Sequence, residues 1–287
     1  MTAVMWGLTA LLVAGLVFAA LKFRSLAGLV RSKKRGDERD RVWDMLYGLN
    51  WSDDTTTNNY GFAPAEGSEP ERFQQQMYVE LFKLMKDAGH LHADMNIIEV
   101  SCGRGGGLSH LVKNWPLPVT AVGLDRSANA IAACRRLHAA SPRLTFVEGN
   151  ALQLPFADGS FDAVINVEAS NDYGNYKRFY TEVARVLRPK GVFLYADTRR
   201  AAIIGKTKTK LSRAGFAFSF RDITENVMSA CREDGERRRG LIKRAPLLIR
   251  LLFRGKLDSY AGLEGSKQYE SFQTRFRLYL MTCAQKT

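Results

Sequence analysis

Residues Ile97–Leu111 read IIEVSCGRGGGLSHL. An apolar run ends at Val100, Gly103, Gly105, Gly106 and Gly107 crowd the next turn, and an amphipathic stretch follows. Glycine has no side chain and enters positive φ freely, so such a turn either bends sharply or lets another group touch bare backbone. Gly103-Arg104-Gly105 begins like a dinucleotide fingerprint, but position 108 is Leu where G-x-G-x-x-G needs its third glycine. The surrounding chain must therefore decide what the turn is for.

From Ile97 onward strands and helices alternate. Ile97–Val100 reads as a strand, Gly107–Lys113 as a helix, Val119–Leu124 as a strand, and Ala128–Ala140 as a helix opened by Ser127 as N-cap. Leu144–Glu148, Phe161–Asn166 and Gly191–Ala196 read as further strands, with a helix at Tyr176–Leu187 that RPKG ends. Upstream, Met77, Leu81, Leu84 and Met85 line a helix over Phe73–Ala88. Downstream, Phe216–Ile223 and Phe272–Ala284 read as late strands. In the second, Phe272, Thr274, Phe276, Leu278 and Leu280 share a face, as in an antiparallel strand. The pattern predicts an α/β, doubly wound, Rossmann-like sheet, mostly parallel with an antiparallel C-terminal strand. No internal repeat or low-complexity tract interrupts it.

In such a sheet ligands sit beyond the C-terminal strand ends. Asp125 ends the second strand in AVGLD, where an acid can accept both hydroxyls of a ribose. VEGNALQLPF places Asn150 and Ala151 at the rim, in position to read an adenine edge, and FDAVINVEAS ends the fourth strand at Asn166.

EVSCGRGGG, the strand-end Asp125, GNALQLPFADGSFDAV and EVARVLRPKG together resemble the class I S-adenosylmethionine-dependent methyltransferases in order and spacing. The resemblance implies a methyltransferase sheet, S-adenosyl-L-methionine as cofactor, and Glu99, Ser101, Gly103, Gly105, Asp125, Asn150, Ala151 and Asn166 as its binding residues. Ser101 stands where glycine is commoner, and Asn150 where Asp is commoner. EVSCG, NVEAS and the later YAD are similar to the phthiotriol/phenolphthiotriol dimycocerosate methyltransferases, O-methyltransferases acting on long-chain lipids. That likeness runs from about Asn50 to the C-terminus, and is best between Ile97 and Asp197. The group tends to carry His just after NVEAS, where this chain has Asn171 and Asp172.

A hydroxyl acceptor must lose a proton, and Glu168 and Asp172, beside the fourth strand's end, are the candidate bases. His110 and His138 fall on helices behind the glycine turn, while His90 and His92 read as loop residues. The resemblance implies that the aromatic segment before the first helix folds over the cofactor as a lid. Trp51, Tyr60 and Phe62 belong to it, and Trp51 or Tyr60 would offer an aromatic face to a sulfonium. Tyr173 and Tyr176 are candidates for the acceptor pocket. Cys102, Cys134, Cys231 and Cys283 lie far apart with no CxxC or Cys/His spacing, so reduced thiols and no metal site are expected.

Composition is that of a globular chain, 46% hydrophobic and 25% charged over 287 residues, with a net charge of +13 that favours an anionic partner. Ala3 to Leu21 is apolar apart from Gly and Thr9; at about 1.5 Å per residue it just spans a hydrocarbon core of roughly 30 Å. No Lys or Arg precedes the run and many follow it, the reverse of a cleaved signal peptide. Residues 1–22 are thus expected to be a signal-anchor helix, 23–42 a basic juxtamembrane linker, and 43–287 a methyltransferase domain on the cytoplasmic side. That side is the endoplasmic reticulum face in a eukaryote or the inner membrane in a bacterium. Within the domain, residues 43–90 are the lid segment and 203–256 a basic-apolar insertion. There Leu247, Leu248, Leu251 and Leu252 would dip into a bilayer while Arg250, Arg254 and Lys256 meet lipid phosphates.

The expected function is O-methylation of a lipid-like or hydrophobic acceptor. C-methylation of a sterol or isoprenoid alkene is the alternative within the same class, and a methyltransferase-like binding module the non-enzymatic one. Nucleic acid is not an expected partner, because the basic charge lies beside an anchor and no Asn/Asp-Pro-Pro-Tyr motif occurs.

Overall fold

A computed structural model of the chain describes residues 43–44, 47–48, 55–114, 119–245 and 247–287. The expected anchor, the basic linker, Trp51, and the side chains of Leu248 and Leu252 lie outside the described residues. Among those described, no helix is long and apolar enough to cross a membrane.

Helix α1 (Arg72–Asp87) leads to β1 (Met95–Val100), α2 (Gly106–Asn114), β2 (Val119–Asp125), α3 (Ala128–Leu137), β3 (Leu144–Glu148) and β4 (Phe161–Val167). Then come α4 (Tyr176–Val186), β5 (Leu187–Arg200), α5 (Ile204–Arg213), β6 (Phe216–Ala217) and β7 (Arg221–Asp222). Four helices, α6 (Thr224–Glu233), α7 (Gly235–Arg244), α8 (Leu247–Tyr260) and α9 (Lys267–Gln273), precede β8 (Arg277–Lys286). The sheet order is β3-β2-β1-β4-β5-β8-β6, with β7 also pairing β8. The pairs from β3 to β5 are parallel, and β8 runs antiparallel to β5. The chain leaves β1 toward β2 on one side and returns to β4 on the other. The crevice between those exits is the place where such a sheet binds ligands.

Alternate residues of the central strands feed two cores. Ile97, Ala163, Ile165 and Leu194 pack with Met77, Leu81, Phe82 and Met85 of α1 on one face. Ile98, Val100, Val164, Phe193 and Tyr195 pack with Phe179, Tyr180, Val183 and Val186 of α4 on the other. Both faces are covered, which is why these strands read as nearly continuous apolar runs. Each fully buried large side chain contributes roughly 1.5–3 kcal/mol.

Two expectations are corrected. Phe216–Ile223 is not one strand: β6 and β7 are two-residue pairings in a common register on β8, and Asp222 ends the second. Its carboxylate accepts from the Thr224 N–H and hydroxyl, which starts α6. Nor does a strand begin at Phe272. Ser266 caps α9 by accepting from Tyr269 N–H at 3.3 Å, and Phe272 is buried within that helix. Only after Arg275, at φ +55°, does β8 begin. The alternating residues Phe272, Thr274 and Phe276 thus belong to a helix end and the turn after it.

The glycines of the opening stretch are mostly explained by packing. A Cβ on Gly107 would lie 1.9 Å from the buried Tyr78 ring. Gly107 lets α2 approach α1 that closely. Gly107→Ala is expected to lower stability by about 2 kcal/mol through overpacking, read as a lower midpoint in urea. An unchanged midpoint would show that the α1–α2 contact yields freely.

Candidate active site

The glycine turn leaves β1 through Ser101 at φ +61° and Gly103 at φ +56°. These left-handed residues turn the chain so that the Gly103 N–H donates to Asp125 Oδ2 at 2.9 Å. Asp125 Oδ1 accepts from Ser127 N–H, also at 2.9 Å. The carboxylate at the end of β2 thereby holds both the glycine turn and the start of α3. Ser127 caps α3 as expected, its hydroxyl oxygen accepting from Ala130 N–H at 3.0 Å.

A second brace comes from the next strand over. Asn166, fully buried at the end of β4, donates to the Val100 carbonyl and to Tyr173 Oη, both at 2.8 Å. Tyr173 in turn donates to Ser101 Oγ at 2.7 Å. A serine where glycine is commoner is therefore used: its hydroxyl accepts from the tyrosine.

The segment before α1 folds over this turn. Buried Glu71 accepts from the backbone N–H groups of Thr56 and Thr57 at 2.9–3.0 Å and from both hydroxyls. Gly106 N–H donates to Thr56 O at 3.1 Å, and Arg104 Nη1 to Thr55 O at 2.8 Å. Helical residues Trp43, Asp44, Tyr47 and Gly48 lie above it. Asp44 accepts from Ser127 Oγ at 2.7 Å and from Asn129, clipping this piece onto the start of α3. Trp43 Nε1 donates to Asp172 Oδ2 at 2.9 Å.

Together these groups line a crevice that is partly open to solvent. The wall includes Trp43, Tyr47, Tyr78, Ser101, Cys102, Gly103, Asp125, Glu168, Asp172 and Tyr173. Glu168 stands at φ +50° at the end of β4, half-buried, and its Oε1 accepts from Tyr60 N–H at 2.6 Å and Tyr279 Oη at 2.7 Å. Burial pushes its carboxyl up to about 8, although these two donors pull the other way. Glu99, behind Tyr78, is likewise pushed up to about 8 by burial. One of its oxygens accepts from Tyr78 Oη at 2.7 Å, while the other is buried with no partner among the described residues.

These residues fit an aminoacyl nucleoside. Asp125 suits a ribose diol, whereas Glu99 lies behind Tyr78 and off the pocket wall, its second oxygen one that a buried water would satisfy. A Cβ on Gly103 would reach to 2.9 Å from Tyr47 Oη, filling the gap between turn and lid. The aromatic faces of Trp43, Tyr47, Tyr78 and Tyr173 suit a sulfonium.

Several residues chosen from sequence fall elsewhere. Gly105 is off the pocket wall, pressed against Phe146 at 2.7 Å from where its Cβ would be. Asn150 closes its own turn, its Oδ1 accepting from Leu152 N–H at 2.9 Å, and Ala151 is buried in the core beside it. Neither lines the pocket. Asn166 braces rather than lines. Tyr60 holds Glu168 through its backbone, while its ring packs edge-on against Phe272 at 5.8 Å. Tyr176 faces the other way, under Arg199 at 4.9 Å and Lys210 at 5.1 Å. Asn171, which follows NVEAS, donates to buried Asp197 at 2.7 Å and is not on the pocket wall.

Sequence reading missed Trp43, Tyr47 and Tyr78. Trp43 and Tyr47 are four apart, one face of a helix, which was the available signal. Tyr78 carries a polar tip on a buried helix face, and a buried tyrosine hydroxyl needs a partner.

Comparison with known proteins bears on what this pocket does. A family profile described as "Methyltransferase domain" matches residues 98–195. The chain is 38% identical over 259 residues to a phthiotriol/phenolphthiotriol dimycocerosates methyltransferase of Mycobacterium tuberculosis, covering 84% of this chain and 92% of that one. It is 36% identical over 208 residues to a fatty-acid O-methyltransferase of Mycolicibacterium smegmatis, covering 69% and 73%. Its fold is similar to a putative sarcosine dimethylglycine methyltransferase from Galdieria sulphuraria, with TM-score 0.67 and 16% identity, over 85% of this chain and 98% of that one. Likeness of this extent, carried by a chain whose glycine turn and strand-end acid meet in one pocket, places it: the chain belongs to the S-adenosylmethionine-dependent methyltransferase family that includes phthiotriol/phenolphthiotriol dimycocerosates methyltransferase.

Proposed function

We propose that the chain methylates a hydroxyl of a lipid-like acceptor, with Glu168 as the base. The carrying observation is the place of Glu168: a carboxylate on the pocket wall, held by two donors and raised to about 8. Relatives named for long-chain lipid and fatty-acid methylation support the acceptor class. The apolar run Ala3 to Leu21 supports tethering to a membrane with the domain on its cytoplasmic side.

When bound, S-adenosylmethionine supplies a methyl on a positively charged sulfur, open to in-line attack by the acceptor oxygen. The chain's part is chiefly positioning, which in favourable cases lowers a barrier by about 7–11 kcal/mol. Asp125 and the Gly103 turn hold the sugar side, and Trp43, Tyr47 and Tyr78 exclude water from the reacting side. Glu168 takes the hydroxyl proton on its carboxylate. Asp172, whose Oδ2 accepts from Trp43, orients the acceptor on the same pocket wall. The four aromatic walls also favour a second reading, C-methylation of an alkene through a carbocation, in which no base is needed for attack.

The direct test is incubation with labelled S-adenosylmethionine and a total lipid extract, followed by mass spectrometry of the product. A methyl ether is expected; a methylated alkene carbon would replace the first reading with the second, and no labelled lipid would remove both. A base must be ionised, so kcat/KM should rise as pH rises through about 8. Glu168→Gln still accepts from Tyr60 and Tyr279, yet should lose that pH dependence and about 10²–10⁴-fold in rate. A variant with the parental profile would acquit Glu168. Asp125→Ala should weaken S-adenosylmethionine binding about 100-fold by calorimetry, the loss of charge-assisted bonds to sugar and turn together. Unchanged affinity would reject the ribose assignment.

A further inference from the structure

Arg238 is buried in α7, and its guanidinium joins three separate parts of the chain. Nε donates to Asp234 Oδ2 at 2.9 Å, Nη1 to the Ala261 carbonyl at 2.7 Å, and Nη2 to the Tyr60 carbonyl at 2.7 Å. A rigid guanidinium fork serves an acid and two carbonyls at once in a way that a single ammonium does not. The loop it holds at Ala261 also packs on the Tyr60 ring, since a Cβ on Gly262 would lie 2.8 Å from that ring. The Gly61 N–H donates to Asn59 Oδ1 at 2.8 Å. The peptide between Tyr60 and Gly61 is therefore pinned at both its oxygen and its nitrogen. That places Tyr60 with its own N–H on Glu168 Oε1 at 2.6 Å.

A buried cation is costly unless it is compensated. Asp234 compensates Arg238 but is shared: Arg237 donates to both of its oxygens at 2.7 Å. Two guanidinium groups around one carboxylate leave a net positive charge. One residue's main chain links that charge to Glu168, and it favours the ionised carboxylate. Asp197 of β5 acts in the opposite sense, while the Tyr279 hydroxyl from β8 donates to Glu168 at 2.7 Å. Tyr78 of α1 and Cys231 of α6 also interact with this carboxylate, and burial keeps both neutral. Arg238 thus offsets Asp197 in the surroundings of Glu168. No residue of α7 lines the pocket.

We infer that Arg238 is a positioning residue for Glu168: it fixes the Tyr60 main chain that donates to this carboxylate and sets an uncancelled positive charge behind it. The inference rests on the reading of Glu168 as the base, and extends the site to a helix outside the pocket.

The test follows the Glu168 carboxyl directly, by carbon-13 NMR of the full chain labelled at its glutamate carboxyls, with Glu168→Gln identifying the signal. Arg238→Gln should raise the titration midpoint by about one pH unit. Arg238→Lys keeps the charge and should return the midpoint most of the way to the parental value. Asp234→Asn keeps the guanidinium and removes its counter-charge, so the midpoint should fall; this variant decides the matter if Arg238→Gln does not fold. Arg232 contacts Tyr269 and Ser229 rather than Tyr60, so Arg232→Gln should change nothing. Initial rates with labelled S-adenosylmethionine and a sub-saturating total lipid extract in nonionic detergent are measured over the same pH range. In Arg238→Gln they should fall about tenfold at pH 7 and recover as pH rises. An unmoved midpoint in Arg238→Gln or Asp234→Asn overturns the inference, as does an equal shift in Arg232→Gln, the mark of general loosening. If the carboxyl titration moves and the rate profile does not, the base reading fails, and the positioning of Glu168 by Arg238 is upheld.

Discussion

The site depends on one carboxylate at the end of a buried strand. Asp125 accepts from the backbone N–H groups of Gly103 and Ser127, and so ties the loop after β1 to the loop after β2. A charged acceptor buried at this depth must be satisfied by donors, and two main-chain amides are among those that do so. The left-handed turn at Ser101 and Gly103 is what brings the first amide into reach. Turn, acid and helix start therefore form one unit, around which the rest of the pocket is arranged.

The lid depends on a second carboxylate. Glu71 satisfies the amides and hydroxyls of Thr56 and Thr57, and the loop it holds is fixed in turn to Gly106 and Arg104. The glycines next to Gly103 serve this packing: Gly105 admits Phe146, Gly106 admits Thr56 and Gly107 admits Tyr78. A glycine cluster that looks like one ligand-binding device is thus divided. One glycine faces the pocket, and three let neighbouring side chains close around it. The pocket wall and the placement of the loop over it are therefore set by adjacent residues.

Glu168 is held on the pocket wall by distant parts of the chain. Its neighbours Tyr60 and Tyr279 come from the lid segment and from the last strand. Burial raises the carboxyl while the two donors limit the rise. Asp197 and Arg199, wholly buried on β5, form a separate network with Ser170 and Asn171 that secures the turn carrying Asp172. Asn171 thus supports the wall that carries Asp172 from behind.

The alternation of apolar runs with amphipathic stretches, the glycine turn and the acid at Asp125 were legible directly, because each is a local pattern with period 2, period 3.6 or a special backbone need. So were Glu168 and Asp172, which lie within a few residues of a strand end where ligands sit. Tertiary structure decided what spacing cannot carry. Alternating apolar residues at 272–276 suggested a strand, but the cap at Ser266 and the partners available made the first of them helical. Trp43, Tyr47 and Tyr78 enter the pocket from the segment and helix that precede β1, and Asn150 Oδ1 turns to its own backbone. The sequence by itself determined the sheet and the strand-end grip, since both follow from neighbouring residues. Only the fold decided which aromatic rings and which glycines face the ligand, since that depends on which distant side chains compete for the same space.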